Sequence, residues 1–271
     1  MADPRNDIVR KSCYIMKKST TSVSVILPTY NEAENIVPLI REIISALRDF
    51  KTDILVVDDN SPDATSDRVR YAILTYRWRT VRVLTRSQNR GLVNSIRDGI
   101  KNSKGDIVLW MDCDFSMPPA LLPSLVLHVT HGYDAAVGSR FALFGKQKVV
   151  NKSKGDSGVA VGLSTILNKS LRYLFRFDFH DYTSGFIAVR RDVLLQIPLR
   201  GDYGEYFIDF MARFFFKGYK AIEIPYQCAP RRYGTSKTGA NIVVLTTHGM
   251  RYIWAVCRII IEKGMGYIYK V

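Results

Sequence analysis

The chain has 271 residues, 47% apolar content and a formal net charge of +14, which excludes a disordered protein and leaves room for one large core. The charge favours an anionic partner, whether nucleic acid, an acidic membrane surface or a phosphorylated small molecule. Four scattered cysteines, Cys13, Cys113, Cys228 and Cys257, form no Cys-x-x-Cys pair, which argues against a zinc cluster or disulfide framework and fits a reducing interior.

Residues 1–21 are polar and charged and read as an N-terminal extension without the apolar core of a cleaved signal. Val23 to Leu27 is a β-branched, apolar strand stopped by Pro28, and Asn35 to Phe50 has the apolar spacing of a helix. A strand from Asp53 to Val57 runs into the polar turn Asp58 to Asp63. The helix Ala64 to Tyr76, the strand Val81 to Leu84, the helix Gly91 to Asn102 and the strand Ile107 to Met111 follow. This alternation predicts an α/β fold built on a mostly parallel sheet flanked by helices, with ligands beyond the carboxyl ends of the strands. There is no Walker loop and no Gly-x-Gly-x-x-Gly after the first strand, which disfavours a mononucleotide kinase or a dinucleotide oxidoreductase.

Pro28 to Glu32, Asp58-Asp59 and Asp112-Cys113-Asp114 all fall at those strand ends. Alone, Asp112 and Asp114 read most simply as an acidic turn after a strand. Beside two further polar clusters on the same rim they read as a metal site. Carboxylates without a nearby His or Cys suit a hard cation, Mg²⁺ or Mn²⁺, whose remaining ligands are water and substrate phosphate.

Further along, Asp134 to Val137 is a strand closed by Gly138-Ser139-Arg140, and Lys146 to Gly158 is a polar loop that reads equally as a lid or as a solvated connection. Gly162 to Phe175 has helical spacing, and Asp181 to Phe186 is a polar turn leading into an apolar segment. The helix Tyr206 to Lys217, the strand Ala221 to Ile224 and the basic loop Arg231 to Lys237 complete a main domain over 22–240. In the last segment, 241–271, Ile242 to Glu262 forms an apolar helix with His248, Arg251, Ala255, Arg258 and Glu262 along one face. It falls short of the uncharged run of about 18 residues that a spanning helix needs. The expectation is an amphipathic helix lying in the bilayer interface, its arginines reaching phosphates and Trp254 and Tyr252 at headgroup level; a helix packed on the core is the alternative.

Pro28-Thr29-Tyr30-Asn31-Glu32, Val56 to Asp63, Met111 to Asp114, Gly138-Ser139-Arg140, Thr183 to Phe186 and Arg231 to Lys237 together resemble family 2 glycosyltransferases, within them the dolichol-phosphate mannose synthase group. The resemblance implies a GT-A (Rossmann-like) fold and inverting transfer of a sugar, mannose from GDP-mannose first among the candidates, onto dolichyl or polyprenyl phosphate. It also implies Pro28, Tyr30 and Glu32 along the nucleoside, with Val57 and Asp59 at the base, and Asp112, Cys113 and Asp114 at the metal and diphosphate. Arg140 would lie near the donor sugar or acceptor phosphate, Arg231 and Lys237 would grip phosphates, and Ser164 would meet the acceptor phosphate. A nucleotide-sugar donor, a polyprenyl phosphate acceptor and a membrane surface are then the partners, rather than nucleic acid, and the expected location is peripheral, on the cytoplasmic face of a membrane.

The chain departs from the family pattern in three places. Ser116 stands where a metal-contacting Gln is usual, Ala160 where an Arg is common before Ser164, and Gly91 to Ser95 only loosely matches a glycine-rich helix start. Ser116 is then a third metal contact through water, and Arg140, Lys154 or Arg172 must hold the acceptor phosphate. A transferase using another nucleotide sugar of the UDP-glucose type, or a hydroxyl acceptor activated by Asp181 or Asp209, is the second reading. A catalytically silent binder of anionic lipid is the third.

Overall fold

The computed structural model describes residues 21–144, 147–148, 158–233 and 242–265. Strands β1 (Ser22–Thr29), β2 (Lys51–Asp58), β3 (Val81–Thr85) and β4 (Ile107–Trp110) alternate with helices α1 (Ile36–Ala46), α2 (Thr65–Tyr76) and α3 (Leu92–Asn102), as the periodicity predicts. Helix α4 (Leu122–Thr130) and β5 (Ala135–Ser139) follow, then a small hairpin of β6 (Leu143–Phe144) and β7 (Gln147–Lys148). The rest comprises α5 (Gly158–Phe175), β8 (Ile187–Arg190), α6 (Arg191–Gln196), α7 (Glu205–Phe216), β9 (Ala221–Pro225) and α8 (Ile242–Gly264).

The main sheet has seven strands in the order β3-β2-β1-β4-β8-β5-β9. β8 is antiparallel to both its neighbours, and all the other pairings are parallel. β8, α4 and α6 are absent from the sequence-based expectation. The apolar stretch after Gly185 is only four residues long as a strand, too short for a period to show, and its partners β4 and β5 are remote in sequence.

Strand side chains alternate between two cores, as a pleat requires. Ile26, Leu55, Val57, Val108, Trp110 and Val137 pack beneath α3, α5, α7 and α8. Val25, Leu27, Ile54, Val56, Leu109 and Ala136 pack beneath α1, α2 and α4. Both faces are covered, which is why β1, β2 and β4 read as continuous apolar runs rather than alternating ones. Strand order reverses beside β1, the place where open α/β sheets bind ligands.

Helix α8 lies against α7 with the polarity opposite to expectation. Ala255 and Ile259 are buried, the Arg258 guanidinium donates to Asp209 of α7 at 2.8 Å, and Arg200 donates to both carboxylate oxygens of Glu262 at 2.9 and 3.0 Å. The expected basic stripe is therefore largely the inward face. Tyr252 also turns inward, where a Cβ on Gly204 would lie 2.6 Å from its hydroxyl. Met250, Ile253, Trp254, Ile260, Ile261 and Met265 form the exposed side instead. Of the polar loop Lys146 to Gly158, Gln147–Lys148 is β7 and Gly158 opens α5; the rest of it and the side chain of His248 lie outside the described residues.

Trp110 is almost wholly buried, and its indole N–H donates to the Tyr206 hydroxyl at 2.9 Å. Tyr206→Phe leaves that donor without an acceptor, and urea unfolding is expected to show a loss of about 1–3 kcal/mol.

Candidate functional site

A cavity of about 680 Å³ opens beyond the carboxyl ends of β1, β2 and β4. Pro28, Tyr30 and Glu32 come from the end of β1, Asp59 from the end of β2, and Asp112, Cys113 and Asp114 from the end of β4. Arg231 closes one side, and Asp202 and Tyr203, from the loop before α7, line another. The strand ends predicted to share a rim thus line one cavity.

Asp59 anchors the first half of the cavity. It is buried and ion-paired with Arg86, and it accepts the Ser95 hydroxyl at 2.9 Å and the Gly91 amide at 2.6 Å. Gly91 has φ +129°, a backbone conformation that favours glycine; this brings the α3 entry onto the carboxylate. Arg86, itself buried, also donates to Asp98 at 2.7 Å and to the Asn89 carbonyl at 2.5 Å. Sequence reasoning missed Arg86, whose only signal was its place one residue after a strand on the same rim. Val57, expected at the base, has its side chain wholly within the core and is not part of the cavity wall.

The second half holds the acids. Asp112 is solvent-exposed and lines the cavity, yet protein surrounds it closely enough that desolvation, reinforced by the Asp114 charge and offset by Arg231 and Arg140, pushes its carboxyl up to about 6. Asp114 is buried and paired with Arg231 at 2.9 Å, and Arg231 also faces Glu32 at 3.8 Å. Ser116 donates its amide to Asp114 Oδ1 at 2.9 Å but does not line the cavity. Among the described residues, no group of three or more His, Cys, Asp or Glu side chains is arranged to hold a metal. Two carboxylates with a guanidinium already seated between Asp114 and Glu32 nonetheless suit a hard cation with open coordination positions, because Arg231 marks where positive charge is favourable.

Arg140 belongs to a neighbouring cluster. Burial disfavours its charge, but Asp181 outweighs that effect and pushes its pKa up. Its backbone amide and Nε donate to Asp181 Oδ2 at 2.9 and 3.0 Å, and Nη2 donates to Oδ1 at 2.9 Å and to the Thr183 carbonyl at 2.8 Å. Ser164 lies 3.3 Å from the Thr183 hydroxyl, so Ser164 and Arg140 converge on the same turn. Arg172 does not join them. It pairs with Asp178 at 2.5 Å in a separate groove with Lys169, Tyr173 and Arg176. Lys237, Lys154 and the Ala160 side chain lie outside the described residues.

Asp181 and Asp209, the candidate bases for a hydroxyl acceptor, are both fully buried. Asp181 is committed to Arg140, and Asp209 to Arg213 and Arg258. Neither carboxylate is available to take a substrate proton, and that assignment is corrected. Asp202 is the exposed carboxylate in the cavity wall that sequence reasoning overlooked.

The family profile of glycosyl transferase family 2 matches residues 24–197. The chain is 32% identical over 222 residues to the dolichol-phosphate mannosyltransferase of Pyrococcus furiosus, a match covering 79% of this chain and 58% of the relative. It is 30% identical over 224 residues to the undecaprenyl-phosphate 4-deoxy-4-formamido-L-arabinose transferase of Edwardsiella ictaluri, covering 82% and 64%. The chain therefore spans less than two thirds of these curated relatives. Among solved structures, glucosyl-3-phosphoglycerate synthase from Mycobacterium tuberculosis, in complex with Mn²⁺, uridine diphosphate and phosphoglyceric acid, superposes with a TM-score of 0.65 at 21% identity, covering 89% of this chain and 79% of that one. A structure of the same synthase with Mg²⁺ and uridine diphosphate gives 0.64 at 20% identity, covering 96% and 84%. Both support the GT-A type of sheet.

A cation bound at Asp112 would compete with a proton there. Its raised pKa means that the carboxylate is available above about pH 6 and is lost as pH falls through that value. Calorimetric titration with Mn²⁺ is expected to show affinity falling about ten-fold per pH unit below 6, and Asp112→Asn is expected to bind weakly with that pH dependence removed.

Proposed function

Since the chain belongs to glycosyl transferase family 2, we propose that it transfers a sugar from a nucleoside diphosphate to a polyprenyl or dolichyl phosphate, with inversion and with help from Mg²⁺ or Mn²⁺. Mannose from GDP-mannose is the first candidate donor. The observation that carries this reading is the joining of three clusters in one cavity: Asp59 with its Arg86 support, the Asp112 and Asp114 pair, and Arg231 against those acids.

The chemistry follows from the charges. An oxygen of the acceptor phosphate attacks the anomeric carbon, the bond from that carbon to the diphosphate oxygen breaks, and the nucleoside diphosphate leaves with the electron pair. The nucleophile is an anion already, because a phosphate monoester has its second pKa near 6, so no protein base is needed. Asp112 and Asp114 would hold a divalent ion, which when bound would supply Lewis-acid stabilisation of the charge on the leaving diphosphate. Arg231, seated between Asp114 and Glu32, and Lys237 would add positive charge against the leaving diphosphate. Pro28, Tyr30 and Glu32 flank the nucleoside and Asp59 accepts hydrogen bonds from the base. Cys113 and Ser116 hold the Asp112 to Asp114 turn in place. Arg140 and Ser164 receive the acceptor phosphate.

Acceptors of this kind are dissolved in a bilayer. The outward face of α8, from Met250 to Met265, supports a peripheral position with that face in the membrane interface. Among the described residues no helix is long and apolar enough to cross a membrane. Among the described residues, Cys113, Cys228 and Cys257 form no disulfide, and the proposed location is the cytoplasmic face. A second reading rests on Asp202, whose carboxylate makes no hydrogen bond or ion pair among the described residues and lines the cavity. It has the character of a base for a hydroxyl acceptor.

One assay separates the readings. Purified protein is supplied with GDP-mannose or UDP-glucose and a short polyprenyl phosphate, with and without Mg²⁺ or Mn²⁺. Asp112→Ala and Asp114→Ala are each expected to lower turnover by about 10²-fold or more, and Asp202→Asn to leave it within a few-fold. Unchanged turnover in both alanine variants sinks the metal-site reading, and loss of all turnover in Asp202→Asn favours a hydroxyl acceptor. In flotation with vesicles containing anionic phospholipid, Ile253→Lys with Trp254→Lys is expected to reduce the bound fraction while leaving detergent-phase turnover intact.

A further inference from the structure

Glu223 sits on the edge strand β9, paired in register with Val137 of β5, the strand that ends at Ser139 and delivers Arg140. Its side chain is only 8% exposed. Burying a carboxylate on a short edge strand is unfavourable unless every lone pair finds a donor. The donors come from one turn. Glu223 Oε2 accepts the His180 amide at 2.8 Å, and His180 Nδ1 lies at 2.8 Å from the same oxygen, donating in the tautomer that carries its proton there. Oε1 accepts the Asp181 amide at 3.0 Å.

The same turn is fixed from its other side. Asn168 of α5 accepts the Tyr182 amide at 2.7 Å, and Asp181 Oδ1 accepts the Thr183 amide at 3.2 Å. Four successive amides, from His180 to Thr183, thus end on side-chain oxygens, and the turn contributes no strand or helix bonds of its own to hold it. Asp181, so fixed, binds Arg140 through Nε and Nη2. Among the described residues Nη1 makes no hydrogen bond, and the Arg140 side chain is 28% exposed, so one edge of the guanidinium is left for an outside anion.

We propose that Glu223 is a positioning residue for Arg140: by clamping the amides of His180 and Asp181 it sets the Asp181 carboxylate, and through it the guanidinium edge that meets the acceptor phosphate. This rests on the reading of Arg140 given under the proposed function. A carboxylate is suited to the task because it only accepts hydrogen bonds. Glutamine has nearly the same shape but turns an NH₂ toward at least one of the amide donors, and aspartate is one methylene too short to span both.

The test is a double-mutant cycle on Glu223→Gln and Arg140→Ala, read as kcat and KM for a short polyprenyl phosphate with the nucleotide sugar that the donor assay selects. Amide exchange at His180 and Asp181 is measured alongside. Expected are a loss of about ten-fold or more in kcat/KM for the acceptor in Glu223→Gln, an unchanged donor KM, and faster exchange at those two amides with the strands of the central sheet still protected. In the Arg140→Ala background, Glu223→Gln is expected to add less than about two-fold, because the pair acts as one unit. A full additional loss in that background, or wild-type kinetics in Glu223→Gln, overturns the proposal while leaving the role of Arg140 standing. Wild-type kinetics in Arg140→Ala overturns that role, and the proposal with it. If Glu223→Gln does not fold, Glu223→Asp is carried through the same cycle with the same criteria.

Discussion

Like charges at the end of β4 dominate this structure. Asp112 and Asp114 lie one residue apart where a strand buried on both faces stops, and the surrounding protein already raises Asp112 to about 6. Two anions so placed are tolerable only with positive charge nearby. Arg231 provides it at Asp114, and the Arg140 charge reaches Asp112 as well. In this structure the Arg231 guanidinium supplies that positive charge, and under the proposed function a metal with the donor diphosphate would take over the role.

Around this electrostatic centre the rest of the site is held by indirect contacts. Arg86 neutralises Asp59, and Gly91 and Ser95 complete its hydrogen bonding. Asp181 does the corresponding work for Arg140, and Glu205 for the cavity loop, accepting the amides of Asp202 and Tyr203 at 3.0 and 3.2 Å. In each case a buried carboxylate holds a guanidinium or the backbone amides of a loop beside the site. Such preorganisation keeps polar groups from having to rearrange when charge develops.

Much of this was legible before any coordinates. The strand and helix alternation from β1 to β4 follows from apolar runs bounded by Pro28, Asp58 and Asp112, and the rim follows from the parallel topology those runs imply. What was not legible depended on partners distant in sequence. Nothing near Ile187 says that its strand inserts antiparallel between β4 and β5. Nothing in the period of α8 says which stripe faces inward: Arg258 and Glu262 look like solvent or headgroup residues until Asp209 and Arg200 are set opposite them. Arg172 failed to join Ser164 because eight residues along a helix span about 12 Å, a distance that sequence proximity conceals. Asp209 looked like a candidate base because its two arginine partners could not be seen.

The inward-facing polarity of α8 has a consequence for how such a protein is handled. A helix that merely anchored the chain could be cut away to give a soluble catalytic core. Here the cut would strip Arg258 from a fully buried Asp209 and Glu262 from Arg200, and it would uncover the pocket that Ile259 fills. Shortening the chain before α8 therefore damages the folded body, and solubility is better sought by recharging the outer face of the helix than by deleting it.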